Sequence, residues 1–126
     1  MLDKVEVTVS AVVDSKRATM AIACKDLEFS GDRWDIDPSN ALAVAQLLRQ
    51  ASAQSLTGEP FAATNGDVTL DTFERAGKNV VEVQYQKGGT VHRIWFDAYN
   101  TVSLSRLIIQ GKQEADWLSP RLVHLQ

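Results

Sequence analysis

The stretch that decides the fold is residues 90–111, TVHRIWFDAYNTVSLSRLIIQG, in which a short strand runs through Asp97 into an apolar helix. An aspartate at such a junction caps the helix, because its carboxylate accepts hydrogen bonds from the free N–H groups of the first turn. A related strand-to-helix junction lies 60 positions earlier, at Asp37. The positions that correspond at this offset are Arg33 and Arg93, Ile36 and Phe96, Asp37 and Asp97, Asn40 and Asn100, Leu47 and Leu107, Leu48 and Ile108, and Gln50 and Gln110.

Self-similarity at a fixed offset indicates one structural unit that is used twice. The sequence therefore predicts an α+β fold of two ββββα repeats, over residues 4–56 and 61–113. Each antiparallel sheet is expected to be covered by one amphipathic helix. Residues 1–126 are predicted to form a single domain, in which the apolar residues 114–126 dock on the body of the protein or on a second chain. A homodimer is therefore left open.

In the first half, apolar and polar residues alternate with the period of two that is typical of half-buried strands. This pattern predicts strands at residues 4–13, 17–24, 27–29 and 33–36. A helix then begins at Asp37-Pro38, since proline at the first helical position loses no needed donor. The helix is expected to end before Gly58, and its apolar stripe consists of Ala41, Val44, Ala45, Leu48 and Ala51.

The second half has the same order of patterns, with predicted strands at residues 61–64, 67–75, 80–86 and 90–96. The pair Asn65-Gly66 between the first two strands is a strong hairpin signal, and Gly88-Gly89 marks another turn. A second helix is predicted from Asp97 to about Gln113. Its apolar stripe consists of Thr101, Leu104, Ile108 and Gly111.

Composition narrows the class of protein. The 126 residues are 44% hydrophobic and 23% charged, near the globular average, and the net charge of −3 gives no general attraction to nucleic acid or to anionic membranes. The single cysteine, Cys24, forms no internal disulfide. No apolar run approaches the roughly 20 residues of a membrane helix, and the first residues do not resemble a signal peptide. We therefore expect a soluble, cytoplasmic protein without membrane contact.

No residue pattern points to catalysis. The motifs of serine hydrolases, zinc proteases and phosphate-binding loops are missing, and His92 and His124 are far apart in the sequence. Asp32, Asp35 and Asp37 do not have the spacing of a calcium loop. The sequence therefore predicts a protein that is not an enzyme and has no metal or cofactor.

The alternation of side chains along the predicted strands indicates a binding surface rather than a catalytic site. In the second half, residues on one side of the strands face the core, and the opposite side collects aromatic, arginine and glutamine side chains. These predicted surface residues are Phe73, Arg75, Gln84, Arg93 and Trp95, with Arg17 and Arg33 as counterparts in the first half. Such a face suits single-stranded nucleic acid, because bases stack on rings and guanidinium groups contact phosphates. It also suits a protein partner, since tryptophan and arginine dominate interface hot spots.

The order of four strands and a helix, used twice, resembles the PUR-repeat and whirly-type single-stranded nucleic-acid-binding proteins over residues 4–113. That resemblance implies binding of single-stranded nucleic acid. In this interpretation Arg75 and Arg93 contact phosphates, Phe73 and Trp95 stack on bases, and Gln84 offers hydrogen bonds. Three alternatives stay open: a protein-interaction module such as a small acidic inhibitor or adaptor, a small-molecule pocket between helices and sheets, and a structural role in which Trp95 belongs to the core.

Overall fold

The computed structural model describes residues 6–14, 17–25, 33–87 and 89–124. The predicted strand at residues 27–29 and the turn residues Ser15, Lys16 and Gly88 lie outside this part of the chain. Within it the elements, in chain order, are β1 (Glu6–Asp14), β2 (Arg17–Lys25), β3 (Arg33–Ile36), α1 (Pro38–Thr57), β4 (Ala62–Asn65), β5 (Val68–Arg75), β6 (Lys78–Lys87), β7 (Thr90–Phe96) and α2 (Ala98–His124).

The strands form two antiparallel sheets. β1, β2 and β3 make a three-stranded sheet, and β4, β5, β6 and β7 make a four-stranded sheet in which neighbours in sequence are neighbours in space. The register of the second sheet pairs Leu70 with Val83 and Val83 with Ile94. Since directly opposite residues point to the same side of a sheet, these three side chains form one inward row.

Two tight turns hold this register. Gly66 and Asp67 form the loop between β4 and β5, because Asn65 already pairs with Val68. Only Gly66 has a positive φ, 58°, which is the sign pattern of a type II′ turn. The predicted hairpin is confirmed, with its loop displaced by one residue. Between β5 and β6, Ala76 and Gly77 both have positive φ, at 54° and 77°, as a type I′ turn requires.

The prediction of two ββββα repeats is wrong. The structure has one four-stranded antiparallel sheet with two helices, in the order α1-β4-β5-β6-β7-α2, which is a single α+β unit. In the described residues before α1, the strands form a separate three-stranded sheet. The helices also do not cover the sheets that precede them: α1 packs on β4, β5 and β6, whereas α2 packs mainly on β1 and β2.

The physical reason for the error is that a matching offset detects similar junctions between strand and helix, and nothing further. Which sheet an apolar helix covers depends on packing between distant parts of the chain, which supplies most of the stability of helices in proteins. α1 and α2 also contact each other, and each helix packs mainly on a different sheet. Neither of the two described helices covers the outward side of the four-stranded sheet.

The local predictions for the first helix are confirmed. Asp37 has extended backbone angles and accepts a hydrogen bond from the Ser39 N–H at 3.0 Å, and Gly58 ends α1 in the left-handed conformation. At the second junction, Asp97 Oδ1 accepts from the Asn100 N–H at 2.7 Å. The predicted stripe of α1 is buried throughout, as are Thr101, Leu104, Ile108 and Gly111 of α2.

The second helix is longer than predicted. Its 27 residues continue to His124, so residues 114–124 extend α2 beyond the expected end near Gln113. Ala115, 0% exposed, belongs to the core cluster, which shows that the extension packs on the body of the protein. Within the described residues, neither helix combines the length and the apolar character that crossing a membrane would require.

Candidate binding surface on the four-stranded sheet

The four-stranded sheet has an inner face toward the helices and an outer face on the opposite side. Leu70, Val81, Val83 and Phe96 point inward and are 0% exposed. The outer face carries the residues of opposite parity. These include Thr69, Asp71, Phe73 and Arg75 of β5, Lys78, Val80, Glu82, Gln84 and Gln86 of β6, and Val91, Arg93 and Trp95 of β7.

An aromatic pair lies on this outer face. The ring centroids of Phe73 and Trp95 are 5.6 Å apart, with the rings nearly perpendicular at 77°. The two residues come from strands on either side of β6, whose backbones stand about 9.5 Å apart, so both side chains lean toward each other across β6. Val80 lies opposite Phe73 on the same face and is only 2% exposed. The two rings, both half-buried, therefore form a small apolar cluster outside the main core.

Arg75 and Glu82 complete what we call the Trp95 cluster, which consists of Phe73, Arg75, Val80, Glu82 and Trp95. The guanidinium carbon of Arg75 lies 4.3 Å from the centroid of a Trp95 ring, in the geometry of a cation–π contact. The indole N–H of Trp95 donates to Glu82 Oε2 at 2.7 Å. The indole thus contacts a carboxylate through its N–H, a cation over one face, and the ring of Phe73 in a nearly perpendicular arrangement.

Glu82 also organises the polar side of the cluster. Its Oε1 accepts from Gln84 Nε2 at 2.5 Å and lies 3.9 Å from Arg93 Nε. The side chain of Glu82 is 13% exposed, whereas that of Arg93 is 62% exposed, so the guanidinium group of Arg93 still faces solvent. An ion pair at this distance and exposure contributes about 0–1 kcal/mol, so it does not prevent Arg93 from binding another anion.

The structure brings together Phe73, Arg75, Gln84, Arg93 and Trp95, the second-half residues that strand parity singled out. Arg17 and Arg33 do not join them, because they belong to the three-stranded sheet, where they pair with Asp14 and Ala23. Trp95 is half-buried on the outer face, on the side of the sheet opposite to the buried Ile94 and Phe96. The roles of these residues in binding stay predictions.

Sequence reasoning missed Glu82, although it is the residue that connects the cluster. The signal was present, since Glu82 has the same parity as Gln84 and lies directly opposite Trp95. A glutamate on the polar side of a strand is ordinarily solvated, and only the structure shows that this carboxylate accepts from an indole N–H. The outer face therefore combines three cationic residues, Arg75, Lys78 and Arg93, with the carboxylates of Asp71 and Glu82.

Two of the other titratable residues considered in the sequence, His92 and Asp37, make contacts within the fold. His92 stacks on Tyr85 with ring centroids 5.2 Å apart, on the inner side of the sheet. The carboxylate of Asp37 caps α1, and Asp32 lies outside the described residues. No group of three or more histidine, cysteine, aspartate or glutamate residues suited to a metal ion occurs in the described part of the chain.

The chain matches no family model, and no curated protein matches it. The resemblance to PUR-repeat and whirly-type proteins therefore stays a prediction, and any function must be argued from the outer face itself.

Proposed function

We propose that the protein binds single-stranded nucleic acid on the outer face of its four-stranded sheet, without catalysing a reaction. The observation that carries the proposal is the Trp95 cluster, where two half-buried rings lie beside exposed guanidinium groups on a sheet face that neither described helix covers. Flexible single strands present unstacked bases and phosphates together, so they match a face that offers rings and cations at short range.

In this proposal each part of the surface has a role. Phe73 and Trp95 supply the apolar area on which bases stack, and the contact with Glu82 holds the indole in place before any ligand arrives. Arg75 and Arg93 approach phosphates, with Arg75 also stacked on the indole. Arginine suits both tasks, because its planar guanidinium group stacks on rings and binds phosphate oxygens in pairs.

The test is a fluorescence anisotropy titration with a labelled single-stranded oligothymidylate at low salt. Base stacking contributes about 1–3 kcal/mol per base, so Trp95→Leu, which keeps an apolar cover over Val80, is expected to weaken binding roughly tenfold or more. Arg106→Ala, which removes an exposed arginine of α2, is the matched control and leaves affinity unchanged. An absence of binding by the unmodified protein at low salt, or equal binding by Trp95→Leu, would refute the proposal.

Salt dependence adds a second criterion. Each phosphate neutralised on a single strand contributes roughly −0.7 to the slope of log K against log salt, so two arginine contacts predict a slope of about −1.4. Arg93→Ala is expected to reduce that slope by about half.

A protein partner is the second candidate function, and Glu82 is the observation that favours it. A carboxylate in the middle of the surface opposes phosphate, and Arg75 already occupies one face of the indole. A preformed cluster of tryptophan, arginine and phenylalanine is typical of hot spots in protein interfaces. The affinity for a protein partner bound through such a cluster would change little with salt. The affinity for nucleic acid would fall as salt rises, so salt dependence separates the two functions.

A further inference from the structure

The turn between β4 and β5 contains two neighbouring residues that can react with each other. Asn65 precedes Gly66, and a single methylene group separates the Asn65 carboxamide from its own main chain. The Gly66 nitrogen can therefore attack the Asn65 Cγ and close a five-membered ring. Glycine favours this attack, because it has no Cβ to crowd the approaching groups.

Neither reacting group is held by a hydrogen bond within the part of the chain that the structure describes. Since Asn65 pairs with Val68, Gly66 is the first residue of a two-residue loop. The hydrogen bond of a β-turn joins the residues on either side of such a loop, so it leaves the Gly66 N–H unused. Gly66 is exposed and Asn65 is half-buried, which gives water access to the products of the attack.

Two other asparagines show why the following residue matters. Asn100 precedes Thr101, whose N–H donates to a main-chain carbonyl at 3.0 Å and is therefore engaged. Asn79 is exposed, but it precedes Val80, a β-branched residue that is 2% exposed. Solvent exposure alone would make Asn79 the more reactive residue, whereas an unhindered and unbonded nitrogen favours Asn65.

From these observations we propose that Asn65 deamidates spontaneously in the folded protein, with water as the co-reactant. The Gly66 nitrogen bonds to Cγ, the bond from Cγ to Nδ2 breaks, and ammonia leaves with the proton of the Gly66 N–H. Water then opens the succinimide ring. Cleavage of the bond between the nitrogen and Cγ gives aspartate, whereas cleavage at the main-chain carbonyl carbon gives isoaspartate. This inference does not depend on nucleic-acid binding.

The two products differ in their effect on the sheet. Aspartate keeps the main chain as it was and adds one negative charge. Isoaspartate routes the main chain through the former side chain, which inserts a methylene group between residues 65 and 66. Asn65 and Val68 form the pair nearest the turn, and β4 has only four pairs with β5. Because Val68 is 4% exposed and anchored in the core, the insertion displaces β4 rather than β5.

The experiment is an incubation of the folded chain in warm, mildly alkaline buffer, which favours loss of the N–H proton, followed by peptide mass spectrometry. The peptide that contains Asn65 should gain the mass difference between an amide and a carboxylic acid. Electron-transfer fragmentation distinguishes aspartate from isoaspartate. Asn79 is the internal control and should stay unmodified over the same period. An intact Asn65, or reaction of Asn79 ahead of Asn65, would overturn the inference.

A variant at Asn65 tests the ring closure. A Cβ on Gly66 would lie 3.4 Å from Asn40 Nδ2 at a φ of 58°, so a replacement of the glycine would strain the turn itself. Asn65→Gln instead lengthens the side chain, and its attack would need a less favourable six-membered ring. We expect loss of the modification at this position. Reaction of Asn65→Gln at the rate of the wild type would contradict attack by the Gly66 nitrogen.

Hydrogen exchange tests the consequence for β4. Freshly purified Asn65→Asp has the same charge as both products and an unchanged main chain, so it is the matched control and should keep the amides of β4 protected. The isoaspartate form, separated by chromatography, should lose that protection while β6 keeps its own. Equal protection of β4 in the two forms would contradict its release from the sheet.

Discussion

The two faces of the four-stranded sheet are made by the same alternation of residues, yet they differ in burial and in charge. The inner face buries Leu70, Val83 and Phe96 completely against the helices. The outer face leaves Trp95 half-buried, and its neighbours are a carboxylate and two guanidinium groups. The helices cover the inner face, whereas the side-chain contacts of the outer face are already formed and remain accessible to solvent.

This difference distinguishes the interactions that stabilise the fold from those that are available for binding another molecule. Complete burial of apolar side chains is the main source of folding free energy. The outer cluster buries only Val80 to a similar degree, and its polar contacts are partly exposed. Changes to the inner face should therefore unfold the protein, while changes to the outer face should alter binding more than stability.

The largest expected effect is on the inner face. Leu70→Ala should lower the free energy of unfolding by about 2–5 kcal/mol, because it removes buried methyl groups and leaves a cavity in the core. Urea denaturation followed by circular dichroism measures this change. Val91→Ala, at a position 46% exposed on the outer face, is the control and should cost less than about 0.5 kcal/mol. Similar losses for both variants would contradict the distinction between the faces.

Glu82→Gln tests the outer face with a change of charge at nearly constant shape. The indole N–H of Trp95 keeps an acceptor, so stability should fall by only about 1 kcal/mol. Affinity for single-stranded oligothymidylate should rise about two- to fivefold, since a negative charge near the phosphates is removed. Anisotropy titration and urea denaturation measure the two effects. A loss of affinity would contradict electrostatic opposition by Glu82 and would show that its charge is needed to hold the indole of Trp95 for stacking.

Ser52 and Ser55 of α1 sharpen the comparison, because both are 2% exposed but, among the described residues, only the Ser52 hydroxyl group has a hydrogen-bond partner. The hydroxyl group of Ser52 donates to the Ala98 carbonyl at 2.8 Å and so connects the two helices. Ser52→Ala should lower the free energy of unfolding by about 1 kcal/mol. Ser55→Ala should leave it unchanged or raise it slightly. The reverse order in urea denaturation would show that the hydrogen bond to Ala98 contributes nothing.

The smallest expected effect is at the turn that follows Arg75. Ala76 has a φ of 54°, a conformation that asparagine adopts more readily than alanine. Ala76→Asn creates the Asn-Gly pair preferred in type I′ turns and should raise the free energy of unfolding by about 0.5–1 kcal/mol. Thermal denaturation should show a higher midpoint, with oligonucleotide affinity unchanged. A lower midpoint would mean that the backbone at Ala76 is not strained.

The local parts of this structure were predictable from the sequence. Strand parity separated Leu70 and Val81 from Phe73 and Trp95, because the two sides of a strand alternate regardless of the rest of the fold. The capping residues Asp37 and Asp97 marked the start of both helices for an equally local reason. These predictions needed only neighbouring residues.

The parts that failed depend on distant residues. No local pattern in the sequence indicates that α1 packs on the sheet that follows it, or that α2 packs mainly on β1 and β2. The extension of α2 to His124 was missed because Pro120 and the apolar residues around it resemble a docked tail. Glu82 was missed because its importance comes from the register between β6 and β7, which pairs it with Trp95.

The most direct test of the central claim is the indole N–H signal of Trp95 in a ¹H–¹⁵N spectrum, assigned by its loss in Trp95→Phe, while single-stranded oligothymidylate is added. Trp117, 57% exposed on α2, supplies a second indole signal as an internal control. We predict that the Trp95 signal shifts in proportion to the bound fraction while that of Trp117 stays in place. A shift confined to Trp117, or bound oligonucleotide without any shift at Trp95, would contradict binding on the outer face.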